Sequence, residues 1–200
     1  MSLYLNYEKN DKIYTLVNKL KEYLDLIKTE INLPKAWIKK NSLEIEIKKS
    51  FIRGLLRYSQ TSLKLSEVIK DKFIETYPEK KNIEWISLPY PMVHLPNDMS
   101  EDGGFHNDGP QKDFFTCWVP VTNYEYKALS IFNYQNVLID KISSVILKSG
   151  LAKFFSKKLD VNQGNIFFWN AKRIHKGNIN TSNNTAVAIQ LKLTSNIYEF

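Results

Sequence analysis

Apolar spacing changes character once along this chain, and that change limits its possible folds more than any other feature. Before Pro78 the apolar residues recur at three- and four-residue steps. In "DKIYTLVNKLKEYLDLIKTEI", Ile13, Leu16, Val17, Leu20, Leu24, Ile27 and Ile31 form one stripe, as on an amphipathic helix. Asp11 stands where an N-cap belongs and Pro34 marks the end. "SLEIEIKKSFIRGLLRYSQ" predicts a second helix, and "SEVIKDKFIETY", stopped by Pro78, a third. From Ile83 onward the texture is short apolar and aromatic runs broken by turn residues: "IEWISLPYPMVHL", "DFFTCWVPVT", "ALSIFNY", "GNIFFWN" and "TAVAIQLKL". These predict β-strands. "VLIDKISSVILKSG" fits a short helix or a strand pair, because a short apolar run carries no clear period.

No internal repeat or low-complexity linker divides the two textures. The expectation is one domain over residues 1–200, with a helical buttress at 1–80 and a β core at 81–200. The expected fold class is α+β, an antiparallel sandwich or barrel buttressed by the N-terminal helices. A chain of 200 residues can bury a sizeable core. No apolar run reaches membrane-spanning length, and "MSLYLNYEKNDK" lacks the features of a signal peptide. Cys117 is the single cysteine, so no intrachain disulfide can form. Together these predict a cytoplasmic protein without a membrane partner.

The formal net charge of +7 draws anions to the surface. The lysines in "KLKEYLDLIK", "IKKNSLEIEIKKS" and "FSKKLD" alternate with acids and read first as solvated faces. There is no arginine stripe, zinc-finger spacing or glycine-aromatic RNA motif, so nucleic acid is not a favoured partner. A basic nucleic-acid-binding module would show affinity that falls steeply with salt.

The chain has three histidines. His106 and Asp108, in "GGFHNDGP", are two apart, a spacing that puts both on one face of a strand. An imidazole nitrogen and a carboxylate oxygen can then converge on a metal. His-x-Asp by itself also arises by chance. His175, in "GNIFFWNAKRIHKGNINTS", follows an apolar strand and precedes a Gly-Asn turn. It can swing back to the pair if the sheet curls. Two histidines and a carboxylate occupy three positions on an octahedral Fe(II) and leave three for a bidentate co-substrate and O2.

These segments resemble the Fe(II)/2-oxoglutarate-dependent dioxygenases, most closely their phytanoyl-CoA dioxygenase-like branch. The similarity runs from "WISLPYPMVHLPND" through "FHNDG", "CWVPVT" and "NQGNIFFWNAKRIHKGNINTS" to "AVAIQLKL", a little over half the chain. The resemblance implies a double-stranded β-helix, a jelly-roll or cupin-like barrel with iron at its open mouth. It implies His106, Asp108 and His175 as metal ligands and catalytic residues. It also implies oxidation of an unactivated C–H bond of a small molecule, with decarboxylation of 2-oxoglutarate to succinate and CO2. An aspartate at position 108 favours hydroxylation over halogenation, since the related halogenases keep that ligand position free.

The family usually carries an arginine about ten to eleven residues after the distal histidine, paired with the remote carboxylate of 2-oxoglutarate. Here Ala186 stands at that place. Three cations are candidate replacements. Lys192 shares a strand face with Ala186, Ala188 and Gln190; Arg173 lies two before His175; Lys127 opens "ALSIFNY". Each is otherwise a solvated charge. His94, on the strand leading into the metal loop, is a candidate co-substrate or substrate contact. Phe105, Trp118, Phe168 and Trp169 either line a pocket or pack the core. Asn170 and Asn178 either bond substrate or make turns, and Lys112 either meets an anionic substrate or belongs to a turn.

The leading expectation is therefore an iron- and 2-oxoglutarate-dependent hydroxylase. Its substrate would be small, carrier-bound or sugar-like, with the net charge pointing to an anionic group. The competing expectation, supported by Ala186, is a related metal-binding β-helix protein that does not use 2-oxoglutarate.

Overall fold

The computed structural model describes residues 3–26, 42–80, 82–85, 87–96, 98, 104–109, 114–132 and 142–194. Helix α1 (Lys12–Leu26) buries Ile13, Leu16, Val17, Leu20 and Leu24. Ile27, Ile31 and Pro34 lie outside the described residues. Asp11 caps the helix: its Oδ1 accepts the Ile13 N–H at 2.9 Å, a contact of about 1 kcal/mol. Helices α2 (Ser42–Arg57) and α3 (Gln60–Thr76) follow. Ser59 caps α3 by accepting the Ser62 N–H at 3.1 Å, and the helix ends two residues before Pro78.

The strands are β1 (Leu3–Asn6), β2 (Glu84–Trp85), β3 (Tyr90–His94), β4 (Phe114–Pro120), β5 (Leu129–Phe132), β6 (Ser156–Leu159), β7 (Asn165–Asn170), β8 (His175–Gly177) and β9 (Ala186–Thr194). Between β5 and β6, "SSVILKS" forms helix α4 (Ser143–Ser149). The earlier part of that ambiguous stretch lies outside the described residues. The larger sheet runs β1-β7-β4-β9-β2, with β3 also on β9, and every pairing is antiparallel. The smaller sheet runs β6-β5-β8, again antiparallel.

Alternation along β4 separates two cores. Phe115, Cys117 and Val119 join Phe168, Ile189 and Leu191 against the helices, with Ile13, Leu20, Ile52, Leu65 and Phe73. Trp118 turns the other way, into a cluster with Tyr124, Tyr126, Leu129, Ile131, Phe167, Trp169, Ala186 and Ala188. This second cluster lies between the two sheets. Phe168 is thus helix-side core, its ring 4.9 Å from that of Phe73, and not a pocket residue.

The expected barrel is open. Among the described residues no ladder joins the larger sheet to the smaller, and side chains hold the two together. A closed barrel needs continuous backbone pairing around its circumference. A buried ion pair also joins α2 to the turn after β3: Lys49 Nζ meets Asp98 Oδ2, with side chains 1% and 4% exposed.

Candidate metal centre

The site is assembled by backbone bonds before any side chain is considered. His106 pairs with His175 through both main-chain bonds, N–H to carbonyl in each direction at 2.9 Å. This bridge adds the metal loop to the edge of β8. The Asp108 N–H then donates to the Ala171 carbonyl at 2.8 Å, and the Ala171 N–H to the Phe114 carbonyl at 2.7 Å. The loop is thereby tied both to the turn after β7 and to the start of β4. His106 and Asp108 are not on a regular strand as their spacing suggested; His106 makes only the isolated bridge. Gly104 adopts φ +70° beside them, a left-handed conformation that favours glycine.

His106, Asp108 and His175 each offer a ligand atom, and these atoms all lie within 4.8 Å of one another. Both imidazoles face the site with the same nitrogen. The His175 Nδ1–H donates to the Arg173 carbonyl at 2.8 Å, and the His106 Nδ1–H to the Gly104 carbonyl at 3.1 Å. A carbonyl only accepts, so Nε2 is the bare nitrogen in each ring. His175 Nε2 is 3.8 Å from Asp108 Oδ2.

The carboxylate of Asp108 is held at both oxygens. Thr116 donates its hydroxyl to Oδ2 at 2.5 Å, and Lys192 Nζ lies 3.1 Å from Oδ1. Burial pushes the Asp108 carboxyl up, but His175, Thr116 and Lys192 outweigh it and hold it below the usual range. Burial pushes His175 down to about 4, against the pull of Asp108 and the Arg173 carbonyl. At neutral pH the pair is an ionised carboxylate and an uncharged imidazole. That donor set, two bare imidazole nitrogens and one carboxylate, fits a divalent first-row metal ion.

The inner face of the larger sheet runs away from this site in register. Trp169, Thr116 and Lys192 form the row beneath Asp108; Phe167, Trp118, Gln190 and Tyr90 form the row one pleat further on. At the far end Ala186 pairs with His94. His94 is 1% exposed. Its ring stacks on Trp118 at 5.7 Å and meets the edge of Tyr124 at 6.0 Å. Ala186 therefore lies in an aromatic surrounding. Of the three candidate cations, Lys192 alone has its charged end shown at the triad. Lys127 is 55% exposed and faces Asp160 at 3.8 Å. Arg173 contributes its carbonyl to His175.

The remaining candidates make local contacts. The Asn178 side chain accepts from Ser130 Oγ and donates to the Lys127 carbonyl. Asn170 Oδ1 accepts the Lys172 N–H in a turn. Phe105 packs against the small cluster of Phe132, Ile146 and Ile174. Lys112 lies outside the described residues. Thr116 was not anticipated, although its place two before Trp118 on an inward-facing strand was a usable signal.

No protein-family profile matches the sequence, and no curated protein matches it. Solved structures do. ThoJ, a non-haem monooxygenase described as a nickel complex, aligns at TM-score 0.57 and 8% identity, over 96% of this chain and 73% of that one. The chain shares the fold of this non-haem monooxygenase. SnoK, a non-haem alpha-ketoglutarate-dependent carbocyclase from nogalamycin biosynthesis, aligns at TM-score 0.51 and 11% identity, over 96% of this chain and 79% of that one. EvdMO1 aligns at TM-score 0.54 and 12% identity, and the chain, covered to 96%, spans 47% of its length. At these identities the likeness is one of fold.

Proposed function

We propose that this chain is a single-domain Fe(II)- and 2-oxoglutarate-dependent oxygenase of the double-stranded β-helix type, related to the phytanoyl-CoA dioxygenase-like branch, that hydroxylates a small molecule. The observation that carries the reading is the convergence of His106, Asp108 and His175 on one point within a fold shared with non-haem oxygenases. His106 and His175, each through its bare Nε2, and Asp108 would hold the iron. The bound iron would supply O2 activation coupled to decarboxylation of 2-oxoglutarate.

The chain's own residues do the rest. The Arg173 and Gly104 carbonyls fix the tautomers that leave both Nε2 atoms bare. Thr116 keeps Asp108 ionised and oriented. Lys192, whose ammonium lies on the Asp108 carboxylate, is a cation at the site that could meet the anionic co-substrate. The inner face past Gln190 and Trp118, towards the His94–Ala186 pair, would receive the co-substrate. The buried indole N–H of Trp118, which has no hydrogen-bond partner among the described residues, gives that path a donor. The aromatic walls exclude water.

Anaerobic titration of the Fe(II)-loaded chain with 2-oxoglutarate tests the reading. The expected result is a saturable visible charge-transfer band, absent from His106→Ala. Metal binding without the band would favour a second reading, a metal-binding protein of this fold that does not use 2-oxoglutarate. Ala186, in the place of the usual arginine, supports that alternative.

A further inference from the structure

We infer that the outer face of the smaller sheet carries a separate site for a phosphate-bearing small molecule. A cavity of about 440 Å³ opens there, lined by Lys153, Lys158, Lys176, Ser130, Asn178 and Phe105 among others. Among the described residues, no acidic side chain lines it. Two of the lysines are placed by strand register: Ser130 on β5 pairs with Lys158 on β6 and with Lys176 on β8. Each lysine is thus one strand from Ser130, and the two are about 10 Å apart at their Cα atoms. Lys153 comes from the turn after α4, on the same cavity.

Like charges arranged around one row of a sheet repel. An anion seated between them turns that repulsion into attraction. Lysine ammoniums meet phosphate as point charges without needing a fixed bidentate geometry. The floor is already ordered: Ser130 is 2% exposed, its hydroxyl donates to Asn178 Oδ1 at 3.0 Å, and the Asn178 amide donates to the Lys127 carbonyl at 2.7 Å. Phe105 gives one apolar wall, with Lys176 Nζ 6.0 Å from its ring centre. The volume exceeds what one phosphate needs, so an organic group on the phosphate also fits.

The site is distinct from the metal centre. Alternation along β8 turns His175 inward, its ring 5.0 Å from that of Trp169, and Lys176 outward. On β5, Ile131 belongs to the inner cluster while Ser130 lines the outer cavity. The two sites share backbone but no side chain. The inference therefore stands whether or not the chain uses 2-oxoglutarate.

Calorimetric titration of the purified full chain with sodium pyrophosphate, in about 0.1 M salt to screen diffuse attraction, tests it. One saturable site is expected. Lys153→Glu with Lys158→Glu should weaken it at least about tenfold, while Lys12→Glu with Lys19→Glu on α1, an equal charge change, should alter it less than about twofold. The milder pair Lys153→Gln with Lys158→Gln should weaken it in the same direction. Adenosine diphosphate binding more tightly than pyrophosphate would mark an organic phosphate resting on Phe105; equal binding would mark the phosphate group alone. No saturable binding, or equal loss in the α1 control, would overturn the site.

Discussion

The hydroxyl of Thr116 donates to Oδ2 of Asp108, so the metal loop is aimed by a residue of β4. Thr116 is 1% exposed, and valine matches its shape without the donor. Thr116→Val removes a contact that favours the ionised carboxylate, and the Asp108 carboxyl rises. Loss of an outer partner of this kind typically weakens metal binding by about tenfold or more. Competition between the variant and a chelating dye for Co(II) should show that loss, with the circular dichroism spectrum unchanged. Equal affinity would mean that Asp108 is oriented by its backbone alone.

Lys192 and Lys127 should separate cleanly. Lys192 Nζ lies on Asp108, whereas Lys127 faces Asp160 at the surface. At saturating iron, Lys192→Met should weaken 2-oxoglutarate by about tenfold, the scale of a lost charge-assisted contact. Lys127→Met should leave the charge-transfer titration where it was. The reverse order would move the co-substrate to the other end of β5.

Acid should unfold the metal-free chain earlier than its composition suggests. His175 is pushed down to about 4 in the folded chain, against 6.5 as its ordinary value. Between those values the unfolded chain takes up a proton there that the folded chain refuses. Stability therefore falls as pH drops from 6.5 towards 4 and is level above 6.5. At about pH 4.5 the loss is on the order of 2–3 kcal/mol. Urea unfolding at neutral and acid pH measures it, and His175→Gln should flatten the difference.

The Lys49–Asp98 pair is buried at both ends. Removing one member leaves a charge behind in the interior, so Lys49→Met should cost about 3–5 kcal/mol. Asp98→Leu added to it should restore much of that stability. If the two losses simply summed in denaturant midpoints, the pair would be carrying no mutual interaction.

The alternation from helix to strand was legible because each texture has its own period. The stripe Ile13 to Leu24 is buried as read, and the five apolar runs after Ile83 became β2 to β5, β7 and β9. Three strands were not legible, the short β8 (His175–Gly177) among them. "LYLN" is four residues long and is a strand because β7 pairs with it. "SKKL" carries two lysines and has the pattern of a solvated face; its pairing with β5 makes it a strand. At the site, the His-x-Asp spacing and the distal histidine marked three positions that the fold does bring together. Their support was hidden, because Thr116 reaches Asp108 through strand register and Lys192 through a shared row. A sequence shows neighbours in order and only the fold shows neighbours across a sheet.

The reciprocal main-chain bonds between His106 and His175 have a thermodynamic consequence. Two ligands far apart in sequence are already held side by side, so the entropy of closing that long loop is settled by folding and not by the ion. A metal would meet a preformed chelate, and its binding energy would return to the fold as added stability, rising with ion concentration. The amide hydrogens of these two residues are then natural reporters. Their exchange with solvent water should slow together when a metal binds, because neither can open without the other.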